Sequence, residues 1–112
     1  MSRRDVYRSA GETRVLEVAV SVSEAFSANA SNYHTFSLRH IRSGQSNGET
    51  VGSDYSLDTR SLSANEPVTI YTSSAGLAMS DGERLALVMS ETGSPTALRD
   101  LEVWVRRQRI VR

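Results

Sequence analysis

In residues 32–41, Asn-Tyr-His-Thr-Phe-Ser-Leu-Arg-His-Ile, the side chains alternate. His34, Phe36, Leu38 and His40 fall on one side, and Tyr33, Thr35, Ser37 and Arg39 on the other. A period of two marks a half-buried β-strand. Turn-rich segments bound it, Ala28-Asn29-Ala30-Ser31-Asn32 before and Arg42-Ser43-Gly44-Gln45-Ser46-Asn47-Gly48 after. The pattern recurs along the chain. In residues 13–23, Leu16, Val18, Val20 and Val22 form an apolar row, while Val15, Glu17, Ala19 and Ser21 form a mixed one. After a tight turn at Asp81-Gly82, Leu85, Leu87 and Met89 share a face. In a last strand over residues 100–111, Leu101, Val103 and Val105 point inward and Glu102, Trp104 and Arg106 outward. The alternation breaks near Arg107, where a bulge or a strand end would account for it.

The remaining strands are more weakly written. Asn47-Gly48 is a hairpin turn signal. The strand it introduces, over residues 50–57, needs a bulge to bring Val51, Ser53, Tyr55 and Leu57 onto one face. Residues 66–71 form a short strand that Pro67 can only begin or edge, and residues 72–76 read as a loop. Phe26 is placed to plug one end of the core. Six or seven strands at turn-punctuated intervals, with no segment patterned as a long helix, predict an all-β fold. The expected form is an antiparallel β-sandwich, jelly-roll-like, with an extended N-terminal arm. The expected domains are an arm over residues 1–12, with Ser9-Ala10-Gly11 as a flexible joint in it, and one sandwich over residues 13–112. Leu16, Val18, Val20, Phe36, Leu38, Leu85, Leu87, Val103 and Val105 are its expected core.

A chain of 112 residues can bury a core without staples, and with no cysteine it has neither disulfides nor thiolate metal sites. The basic start, Ser2-Arg3-Arg4-Asp5, leads into no apolar stretch, so no signal peptide is expected. No apolar run approaches the roughly 20 residues of a membrane helix, and no membrane association is expected. Thirteen basic residues, all arginine, balance thirteen acidic ones. That neutrality argues against general nucleic-acid binding. Eighteen serines and eight threonines suit exposed strand faces and turns.

Catalytic motifs are missing from the sequence: there is no Gly-x-Ser-x-Gly elbow, no phosphate-binding glycine loop and no His-Glu-x-x-His. His34 and His40 share a strand face but stand roughly 20 Å apart along it, too far to share a metal. Asp54 and Asp58 read as solvated turn residues, and Asp81-Gly82-Glu83 as a turn rather than a calcium loop. The expectation is no enzyme, no cofactor and no metal.

The arginines are unevenly placed. Eight of the thirteen lie in residues 1–14 and 106–112. An antiparallel sandwich often brings its first and last strands together, which would gather these forks around Trp104. That tryptophan is covered by the arm, buried inside the domain, or part of a contact surface. The expected partner-binding residues are therefore Arg3, Arg4, Val6, Tyr7, Arg8, Trp104, Arg106, Arg107 and Arg109.

Two stretches carry a family likeness. One is residues 28–53, where Asn29-Ala30-Ser31-Asn32-Tyr33 opens a strand and a Gly/Asn loop leaves it. The other is residues 77–105, with Ser80-Asp81-Gly82-Glu83-Arg84-Leu85 as a variant of an Ala-Gly-Asp-x-Leu turn. Together they resemble small β-sandwich domains of tailed-bacteriophage virion proteins, of the capsid decoration (cement) or head- and tail-fibre type. The resemblance implies a structural virion protein that binds the major capsid protein and stabilises the assembled phage head. It implies a homo-oligomer, a trimer being favoured, made in the host cytoplasm and located on the capsid surface. The alternative is a receptor- or carbohydrate-binding module of a tail fibre, for which Tyr33, Tyr55, Tyr71 and Trp104 are the candidate aromatics.

Overall fold

A computed structural model describes residues 2–109. Seven strands follow one another: β1 (Ser2–Arg8), β2 (Thr13–Ser21), β3 (Tyr33–Ile41), β4 (Glu49–Ser56), β5 (Val68–Met79), β6 (Arg84–Thr92) and β7 (Glu102–Arg109). They form two antiparallel sheets packed face to face, one in the order β1-β6-β3-β4 and the other β5-β2-β7. There is no helix among the described residues. Five of the six connections pass from one sheet to the other, and β3–β4 alone is a hairpin. This is the winding of a jelly roll. In a complete one, a further strand lies beside β7, and among the described residues that place is open.

The winding gives the sandwich two unlike ends. Short connections (residues 9–12, 42–48 and 80–83) sit at what we call the turn end. Longer ones (residues 22–32, 57–67 and 93–101) sit at the loop end.

The core lies where the period-two rows meet. Phe36, Leu38, Leu85 and Leu87 from one sheet face Val15, Val18 and Val20 from the other, all nearly or fully buried. Each large side chain so buried stabilises by about 1.5–3 kcal/mol. Phe26 does plug the loop end, exchanging backbone hydrogen bonds with Leu62, and Val22, Leu57 and Leu62 complete the lid. Val103 and Val105 pack against the core but stay half-buried, because β7 is an edge strand.

Four expectations change. Leu16 is not in the core. The register of β2 slips between Val15 and Glu17 against both neighbours, so Val15 takes the buried position and Leu16 lies against Gly76 beside Arg14. That bulge in β2, opposite Arg106 and Arg107, is also why the alternation of the last strand breaks there. Residues 72–76 are not a loop between strands. Thr72 stays paired with Glu17, and residues 73–76 bulge out of β5, tightened by a hydrogen bond from Gly76 N–H to Ser73 Oγ at 3.1 Å. Finally, residues 2–8 do run extended, but along their own sheet: β1 pairs with β6, so among the described residues no free arm projects from the domain. The Ser9-Ala10-Gly11 joint is not slack either, since Ser9 is buried and bonds Glu83 and Gly82 through its backbone.

Candidate interaction surface

The residues expected to bind partners divide among three surfaces. Arg3 and Arg8 lie in register with Val88 and Arg84, on the outer face of the four-stranded sheet. Arg3 reaches across that face, and its Nη1 donates to the Ser46 carbonyl at 2.8 Å, clasping the 42–48 loop. Arg4, Tyr7 and Arg107 lie at separate points along the side where β1 passes over β7. Arg4 Nη2 donates to the Leu101 carbonyl at 3.3 Å, and the Arg107 guanidinium stands 5.6 Å from the centre of the Tyr7 ring. Such cation–π contacts at exposed sites are worth about 0.5–1 kcal/mol. Val6 and Tyr7, expected as exposed anchors, are half-buried and packed on their own core. The Tyr7 hydroxyl donates to Thr13 Oγ1 at 3.3 Å. Arg109 is exposed opposite Thr13.

Trp104 and Arg106 occupy the third surface, the outer face of β5-β2-β7. Register defines its rows. Trp104, Ala19 and Thr69 stand side by side, and Arg106, Glu17 and Thr72 form the next row. Glu17 is held from both sides, by the Thr69 hydroxyl at 2.6 Å and by Arg106 Nε at 3.4 Å. The Thr69 hydrogen bond, ahead of the Arg106 charge, keeps its carboxyl below the usual range despite some desolvation. Trp104 is 53 % exposed, the one large apolar side chain so placed among the described residues. Its Nε1–H donates to Ser21 Oγ at 3.3 Å, which fixes the ring against the sheet. The outward parity of Trp104 was legible in the sequence, and neither the N-terminal segment nor the domain interior covers it.

A second candidate was not legible. At the loop end a cavity of about 340 Å³ is lined in part by Ser2, Arg4, His34, Glu91 and Leu98. Polar groups from residues 2, 4, 34 and 91 converge there only because β1, β3 and β6 are neighbours. The His34 ring is already engaged. Its Nε2 lies 2.7 Å from the Thr96 carbonyl, and Phe26 meets it edge-on at 5.2 Å. A carbonyl oxygen only accepts, so Nε2 carries the proton and is not free to act as a base.

The other histidine is structural. His40 Nε2 lies 2.8 Å from Glu83 Oε1, both largely buried, and the same oxygen accepts from the Ser80 N–H at 2.9 Å. Burial opposes the Glu83 carboxylate. The Ser80 N–H, the His40 ring and the nearby Arg42 charge together outweigh it and hold the carboxyl below its usual value. Nothing in the sequence links residues 40 and 83; the pairing of β3 with β6 does. Among the described residues, no three His, Asp or Glu side chains gather as metal ligands. No protein-family model, curated protein or solved structure matches the chain.

Proposed function

We propose that this chain is a structural protein that works by docking on other protein subunits, and that its setting is the shell of a tailed bacteriophage, as a decoration protein on the major capsid protein. The observation that carries the docking role is Trp104, half-exposed and held by Ser21 on the outer sheet face, with the Arg106 fork one row away. Tryptophan and arginine are the residues that most often dominate the energetics of protein interfaces. The virion setting rests on the sequence resemblance. Tyr33, Tyr55 and Tyr71 do not join Trp104 in an aromatic platform. All three are half-buried, with Arg60 stacked 4.4 Å from the centre of the Tyr55 ring.

The test is co-sedimentation of the purified protein with undecorated shells, with Trp104→Ala in parallel. The variant is expected to lose about 2 kcal/mol of binding, roughly thirtyfold in affinity, while its melting temperature stays near that of the parent. Equal binding by the variant would remove Trp104 from the interface. Binding to a glycan array but not to shells would favour the tail-fibre reading instead.

A further inference from the structure

A sandwich of two open sheets has four edge strands, here β1, β4, β5 and β7. Three of them are interrupted. The register of β1 slips at Val6, that of β4 between Val51 and Tyr55, and that of β5 both at Ile70 and across residues 73–76. Bulges of this kind twist an edge away from further pairing. Among the described residues β7 alone runs without one, because the slip opposite Arg106 and Arg107 lies in β2. The strand with the unbroken edge is also the one beside which the jelly-roll order has an open place.

We infer that β7 is the seam of a twofold dimer, pairing antiparallel with β7 of a second copy of this chain and merging two three-stranded sheets into one of six. The occupant follows from the residues on the strand. A twofold axis perpendicular to the sheet places outward side chains opposite outward ones, so the paired residue numbers must sum to an even value. Centred on Trp104, this register sets Glu102 against the partner's Arg106, Val103 against the partner's Val105, and Trp104 against the partner's Trp104. Both charges are answered twice over, and the valines meet on the inner face. Centring the pair on Val105 instead sets Glu102 against Gln108 and Val103 against Arg107. Centring it on Arg106 opposes like charges. The arginines at 106, 107 and 109 that guard this edge against strands of other sequence thus have a match in Glu102 of the same strand, the device by which interfaces choose one partner. The dimer also places two tryptophans side by side on one outer face, doubling the exposed patch.

The experiment is sedimentation equilibrium on the full chain, the Glu102→Arg variant, the Arg106→Glu variant and an equimolar mixture of the two. The parent is expected to be a dimer. Each variant alone opposes like charges at both symmetric pairs and should weaken the dimer about tenfold or more. In the mixture every opposing pair is again of opposite charge, so the heterodimer should form. A second measurement does not depend on charge. The chain has no cysteine, and directly opposed Cβ atoms stand about 4.5–5.5 Å apart, so Trp104→Cys should form an intermolecular disulfide under mild oxidation. Thr69→Cys, on the same face but on β5, should not. A monomeric or trimeric parent, a mixture that fails to associate, or no Trp104→Cys crosslink overturns the seam. A monomer that still binds shells would do so while leaving the docking role intact.

Discussion

The two ends of this sandwich are closed by different physics. At the turn end, short connections are tied by polar groups. Ser9 N–H donates to the Glu83 carbonyl and Gly82 N–H to the Ser9 carbonyl, each at 2.8 Å. Gly11 N–H donates to Asp81 Oδ1 at 2.8 Å, and the Ser9 hydroxyl bridges Gly11 and Thr13. Beneath them sits the His40–Glu83 pair. At the loop end, longer connections carry an apolar lid, in which Phe26, Val22, Leu57 and Leu62 cover the core, and backbone bonds join the loops around it: Ser23 N–H to the Arg99 carbonyl, Asn65 N–H to the Val22 carbonyl, and Phe26 with Leu62 in both directions. Short connections leave no chain to fold over the core, so buried polar groups there must satisfy one another. Long ones can carry a plug and leave clefts beside it.

Removing residues 1–12 should have the largest effect on this contrast. The deletion takes away β1 and with it Ser9, the hub of the turn end. Because domains of this size are stable by only about 5–15 kcal/mol, no cooperative unfolding transition is expected in urea. A truncated chain that melts like the parent would mean that the polar end is dispensable. Next in size is Phe26→Ala, which empties the plug at the loop end and should cost about 3–5 kcal/mol by chemical denaturation.

Glu83→Ala should cost less, about 1–3 kcal/mol, by leaving buried His40 without its partner. It also carries a pH signature that Phe26→Ala lacks. The folded protein holds the Glu83 carboxyl below its usual value near 4.5, so the unfolded chain takes up that proton first. The contribution is therefore complete above the usual value and is lost as the pH falls through the lower, folded one. Urea midpoints of parent and Glu83→Ala should be well separated near neutral pH and draw together on acidification. A separation that does not change with pH would show that the carboxylate charge is not what ties this end.

How much of this was readable beforehand follows the same division. The strands β2, β3 and β6 were legible because both sheets press their period-two rows into one core, and Trp104 was assigned outward by parity alone. Leu16 was misplaced because a bulge shows itself only against the strands it is paired with. The Thr72-Ser73-Ser74-Ala75-Gly76 segment has loop chemistry throughout, yet its ends stay on the ladder with β2. For β1, Arg-Arg-Asp-Val-Tyr-Arg alternates poorly since an edge strand with a bulge buries little. Ser9, Glu83 and His34 were silent because their partners lie on distant parts of the chain. The turn end is therefore mostly invisible to sequence patterning, and the apolar plug is not.

The winding itself constrains how such a molecule comes to exist. With five of six connections changing sheets, neither sheet is made from a continuous piece of chain. The β3–β4 hairpin is the one local nucleus, and Gly48 is fitted to it: its φ of +70° and its packing against the His40 carbonyl leave no room for a side chain. Every later step closes a long loop before its contacts can repay the lost entropy. β6 stands between β1 and β3, and β5 and β7 flank β2, so each of these strands has its ladder partners far along the chain. The strand with the cleanest edge, β7, is the last of the described strands in chain order and has β2 as its ladder partner, so the edge proposed as the seam is only as firmly placed as β2 holds it.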